Sequence, residues 1–111
     1  MNNKTSIQLG KLTITAGENL PANRFINFKG FLCQAGDKVL GITTRAYKTG
    51  SLASVVSHGI VPVETSGVIT SIGSEVRPSS NGRAEFATAS FQNIFTLDSS
   101  VGAGSFIRVK L

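Results

Sequence analysis

Apolar residues in this chain recur at every second position in short runs, and no stretch sustains helical spacing over three turns. The cleanest case closes the chain: Ile107, Val109 and Leu111 alternate with Phe106, Arg108 and Lys110, the pattern of a half-buried strand. At the other end the alternation breaks. Ile7 and Leu9 share one phase, Leu12 and Ile14 take the opposite one, and Gly10 stands at the change, where a bulge or kink shifts the register by one. Lys4–Thr15 therefore reads either as an extended N-terminal arm or as an ordinary first strand.

Between these ends, turn residues punctuate the chain. Arg24–Phe28 and Phe31–Cys33 predict a hairpin around Lys29-Gly30, and Val39–Arg45 a strand whose Gly41 marks a bulge or a close backbone approach. Ala53–His58 and Ile60–Thr65 predict two further strands, the second at an edge or a bulge because Pro62 cannot donate to a ladder. Asn81-Gly82 is the strongest local turn signal, between strands over Glu75–Arg77 and Arg83–Thr88. Thr96–Val101 is the one place where a helical turn competes with loop. The expectation is all-β: a small single-domain β-sandwich or β-barrel at 16–111, an extended N-terminal arm at 1–15, and at most one short helix.

Composition agrees with that class. Among 111 residues there are 12 glycines, and only 15% are charged, so turn and strand formers fill the space that helix formers would take. Cys33 is the single cysteine, which rules out an intrachain disulfide and a structural zinc site and reads as a buried free thiol made in a reducing compartment. The polar start Met1–Ser6 has no signal-peptide core, and no apolar run nears the ~20 residues of a membrane span, so a soluble protein without a secretion signal or membrane partner is expected.

Chemistry is sparse. His58 is the only histidine, and it reads as a solvated side chain at a strand end. No serine lies in a Gly-x-Ser-x-Gly elbow. Glu18, Asp37, Glu64, Glu75, Glu85 and Asp98 are far apart in sequence. Gly36–Gly41 lacks the Gly-Lys-Ser/Thr ending of a phosphate loop and leads into a strand, not a helix. These readings predict no enzyme, no cofactor and no metal. A formal charge of +5, from 11 basic and 6 acidic residues, is scattered from Lys4 to Lys110, which suits an acidic partner surface better than nucleic acid. One segment pulls the other way: Arg24–Phe31 interleaves aromatic and basic residues, as single-strand binders do. The competing reading buries Phe25 and Phe31 in the core and leaves Arg24 and Lys29 solvated.

The order of these segments resembles the small capsid cement, or head decoration, proteins of tailed bacteriophages, the DUF2190-like family. The resemblance is carried by Gly17-Glu-Asn-Leu-Pro-Ala-Asn-Arg-Phe-Ile26, by Ala35–Ile42, and by Gly59-Ile-Val-Pro-Val-Glu64. It continues through Ile69–Val76, Gly82-Arg83-Ala84 and the ending Gly104–Leu111, so it runs from Gly17 to the end of the chain. Ser74 departs from the turn residue that many relatives place after the glycine.

The resemblance implies a β domain synthesised in the bacterial host cytoplasm and carried on the outer capsid surface of the virion. There it would bridge major capsid protein subunits and stabilise the lattice by mass action. It also implies a homo-oligomer, trimer before dimer, with nucleic acid an unlikely partner. The expected contact residues are the arm, Asn2, Asn3, Lys4, Thr5, Ser6, Ile7 and Gln8, adding a strand to a capsid protein edge, and Arg24, Asn27 and Lys29 on the hairpin. The alternatives are a single-stranded nucleic-acid-binding β-barrel module and another virion β domain of tail or baseplate.

Overall fold

The two strands expected on either side of Gly59 are one. In a computed structural model describing residues 7–69, 71–87, 91–92 and 94–111, β4 (Leu52–Glu64) runs for 13 residues. Gly59 lies within it at φ 125°, a value that glycine reaches without steric cost. The unpaired extra residue of β4 falls two positions away at Ser57, between His58 and Val56, so the chain bulges and does not turn. Around β4 forms a six-stranded sheet. β3 (Gly41–Thr43) pairs with β4 at Val55–Val56, and β10 (Phe106–Lys110) pairs along Ile60–Glu64. β1 (Ile7–Thr15) lies antiparallel on the opposite edge of β4. β2 (Phe25–Ile26) extends the sheet beyond β3, and β8 (Phe95–Thr96) extends it beyond β10. The result is a curled half-barrel.

Two short ribbons complete the fold. β5 (Val68–Ile69) pairs with β9 (Ser100–Val101), and β6 (Val76–Pro78) pairs with β7 (Ala84–Phe86). Thr96–Val101, where a helical turn competed with loop, contributes instead to β8 and β9. The only helical geometry among the described residues is a 3₁₀ turn at Ser80–Gly82. Its Asn81 and Gly82 have φ of 61° and 73°, as the Asn-Gly signal predicts, and Ser79 N closes the turn on Arg83 O at 2.7 Å.

The bulge decides which side chains make the core. Before it, Val56 faces the main cluster while Ala53 and Val55 face a smaller one on the other side of the sheet. After it, the odd-numbered Val61 and Val63 face the main cluster, joined by Phe25, Ile42, Ile107 and Val109. One extra residue has exchanged the faces, as the period of two requires. β1 shifts register on both sides of Gly10, where its own alternation changes phase.

Two expectations are corrected by packing. Pro62 sits in the central strand, not at the sheet's edge. It pairs with Arg108 of β10, while Glu64 N donates to Asn23 O and Asn23 Nδ2 donates to Pro62 O. The proline nitrogen thus faces the edge of β4 against which the Asn23 loop lies, and no ladder bond is lost among the described residues. Phe31 is not a core residue. It is 42% exposed, and its ring lies over Gly17, where a Cβ would come within 2.6 Å of it; Phe25 alone of that pair is buried.

Candidate docking surface

The structure divides the sequence-predicted contact residues into three groups. Asn2, Asn3, Lys4, Thr5 and Ser6 lie outside the described residues. Ile7 and Gln8 belong to β1, paired with Ile60 and Gly59 of β4. Arg24, Asn27 and Lys29 fall on the expected hairpin, closed by an Ile26–Leu32 bridge and by Asn27 N donating to Phe31 O, but they differ in what they are free to do.

Arg24 is committed to the fold. Its Nη2 lies 3.3 Å from Glu64 Oε1, and its Nη1 donates to Asn81 O at 3.0 Å. Arg83 Nε approaches the other Glu64 oxygen at 2.8 Å, an ionic contact without good hydrogen-bond alignment. One carboxylate thus ties β4 to the β2 hairpin and to the Asn81 turn. Asn27 is committed too: its Oδ1 accepts from Lys29 N at 2.9 Å and Phe31 N at 3.1 Å, shaping the turn as Asx side chains do. Lys29 alone of the three is exposed with no ion pair among the described residues, beside Phe28 at 66% exposure.

Every acidic side chain has a structural partner. Glu18 accepts from Leu32 N, Asp37 from Gln34 N and Glu75 from Phe91 N. Glu85 pairs with Arg77, Glu64 with Arg24 and Arg83, and Asp98 with the guanidinium of Arg108. The hydrogen bonds that Arg108 donates to Asp98, with that carboxylate's charge, push the Arg108 pKa further up. The negative charge is spent on internal contacts. Lys11, Lys29, Lys38, Arg45, Lys48 and Lys110 remain exposed and belong to none of the described ion pairs.

A groove of about 430 Å³ opens where the β4 bulge exchanges faces. Leu12, Phe28, Val39, Leu40, Ile94 and Leu111 make it apolar, with Ser57, His58 and Gln92 at its sides. The Gln92 amide acts as a strand partner to Val39: Oε1 accepts from Val39 N at 2.6 Å and Nε2 donates to Val39 O at 3.3 Å. His58 is exposed within β4, not at a strand end, with Nδ1 3.2 Å from Ser57 Oγ. Phe28 also borders a second hollow, of about 480 Å³, shared with Asn27, Lys29, Asp37 and Lys38. Sequence reasoning missed this groove because its lining comes from six separate segments. The one local signal was an aromatic, Phe28, stranded at a hairpin tip.

Cys33 is buried and chemically quiet. Desolvation, aided by the nearby Asp37 charge, pushes its thiol from 9.0 up to about 12. Among the described residues no three His, Cys, Asp or Glu side chains gather as metal ligands would.

No protein-family model matches the chain, and no curated protein matches it by sequence. Among solved structures, the head fiber gp8.5 N base of bacteriophage phi29 superposes with a TM-score of 0.76. The match covers 92% of each chain at 13% sequence identity. This chain shares that fold. The DUF2190-like relationship has no matching family model behind it.

Proposed function

We propose that the protein is a structural component of a bacteriophage virion that sits on the outer surface of the head and acts by docking, not by catalysis. The observation that carries this reading is the fold likeness, near full length on both chains, to a phage head-fibre base. It is supported by an apolar groove that the exposed Leu12 and Phe28 line together. Acidic side chains that all serve the fold, leaving unpaired cations outward, support attachment to an acidic shell.

In the finer reading the protein is a cement that bridges major capsid protein subunits. The outer edge of β1 is the element best suited to that role. Ala16 N donates to Ser51 O, so by strand alternation the amides of Lys11 and Thr13 point away from β4, where no strand pairs with them among the described residues. A capsid segment added there gains backbone hydrogen bonds.

The test is co-sedimentation of purified protein with mature, expanded heads, followed by a thermal melt of the heads. Saturable binding with a raised melting temperature is expected. Heads that neither bind the protein nor gain stability exclude the reading, and labelling that finds it on tails would move it to another part of the virion.

A further inference from the structure

We infer that the groove walled by Leu12, Phe28 and Ile94 is where the shell protein docks, through a segment that carries an apolar anchor flanked by carboxylates. This rests on the head-associated reading above and names the face and the partner chemistry that would serve it.

The groove is largely apolar and no acidic side chain among the described residues lines it. Its surroundings are cationic in a specific way. Lys29 and Lys38, both exposed neighbours of the lining residues Phe28 and Val39, border the hollow that adjoins the groove at Phe28. Lys11 and Lys110 neighbour Leu12 and Leu111 along strands and by alternation point to the opposite face. None belongs to a described ion pair. Asp37, the one acid bordering the adjoining hollow, already accepts from Gln34 N at 2.9 Å.

An apolar trough with a cationic rim at Lys29 and Lys38 discriminates among occupants. A neutral apolar segment gains the floor alone, and a basic one is repelled by the rim. An acidic segment with an apolar anchor gains both, and the rim also steers its approach. Nucleic acid fits less well, because stacking needs a run of aromatic faces and the lining offers only Phe28 and the imidazole of His58 among the described residues.

The first experiment titrates methyl-labelled protein with a short synthetic peptide of Asp and Glu residues around a Phe-Leu pair, followed by NMR. A Lys-flanked Phe-Leu peptide and an oligo-dT serve as comparisons. Shifts confined to the methyls of Leu12, Leu40, Ile94 and Leu111 are expected with the acidic peptide, weakening about tenfold or more between low and high salt. The second experiment measures head binding by Leu12→Glu and Lys38→Glu against Leu52→Glu, a substitution at an exposed apolar site outside the groove. A thermal melt first confirms that each variant is folded. A loss of about tenfold or more with the first two and none with the third is expected, since apolar and charged contacts at a docking centre each carry that much.

Equal shifts with both peptides, none with the acidic one, or tighter binding of oligo-dT would overturn the proposal. So would wild-type binding to heads that the groove variants leave unchanged, which spares the head-associated reading. Failure of wild-type protein to bind heads while the acidic peptide fills the groove removes that reading and the shell protein as partner, leaving only the groove's chemistry.

Discussion

Gly82 carries two constraints at one residue. Its φ of 73° lies where side chains strain the backbone, and a Cβ there would stand 2.6 Å from Phe25 O. Gly36 has a similar φ of 85° but nothing within 4 Å of its virtual Cβ. Gly82→Ala should therefore cost about 2–4 kcal/mol and Gly36→Ala only about 1 kcal/mol, a difference that paired chemical melts resolve. Arg24 shows the limit of residue-level reading. The sequence displays its charge but not the carboxylate of Glu64, 40 positions away, so it reads as a solvated contact residue. In the fold it is a clamp, and Arg24→Ala should lower stability by about 1–3 kcal/mol by leaving Glu64 with one cation. Head binding measured well below the melting temperature should then change little, and a selective binding loss would restore Arg24 to the surface. Cys33 was legible because an unpaired thiol in an apolar run has few other fates. Its folded pKa of about 12 lies above the unfolded 9.0, so the folded state holds the proton more tightly. The stability this supplies is full below pH 9 and is lost as pH rises toward 12. Denaturant midpoints should fall more steeply across that window for the wild type than for Cys33→Ala.

At the scale of elements, the signals that survived were local ones. The phase change at Gly10, the Asn81-Gly82 turn, the close approach at Gly41 and the alternation of β10 each depend on a few neighbouring residues, and each is found in the structure. The continuity of β4 was not legible, because Gly59 can end a strand or lie within it and the partner strands on both edges decide which. The same is true of Pro62: its place depends on the distant Asn23 loop that lies against it, not on its own sequence. For β1 this has a functional consequence. Its inner edge is fixed by β4 and its outer amides at Lys11 and Thr13 are unladdered among the described residues. Thr13→Pro removes one outward donor and no inward bond, so it should cost about 1 kcal/mol of stability or less and yet weaken strand addition several-fold. Unchanged head binding by a folded Thr13→Pro protein would take the β1 edge out of the interface and leave the groove to account for docking.

For the whole molecule, the distribution of charge separates two kinds of apolar surface. The groove side is bordered by Lys29 and Lys38, which belong to no described ion pair. Two copies meeting through it would bring like charges together, and a net charge of +5 makes that costly. The ribbon side is different. Val68, Ile72 and Phe86 are exposed by 56%, 70% and 48%, while the nearby Arg77 and Arg83 are held by Glu85 and Glu64. An apolar surface with neutralised charge suits association with an identical surface, and β5 packs close to β7 there. Self-association, if it accompanies function, should therefore use the ribbons and leave the groove open to a different partner. Ile72→Glu and Phe86→Glu should shift sedimentation of the free protein toward monomer while the acidic peptide still moves the Leu12 and Ile94 methyls as in the wild type. Lys38→Glu should do the reverse, leaving sedimentation unchanged and weakening the peptide. A wild-type protein that sediments as a monomer at high concentration, or ribbon variants that lose the peptide together with the oligomer, would show that the two surfaces do not divide the work in this way.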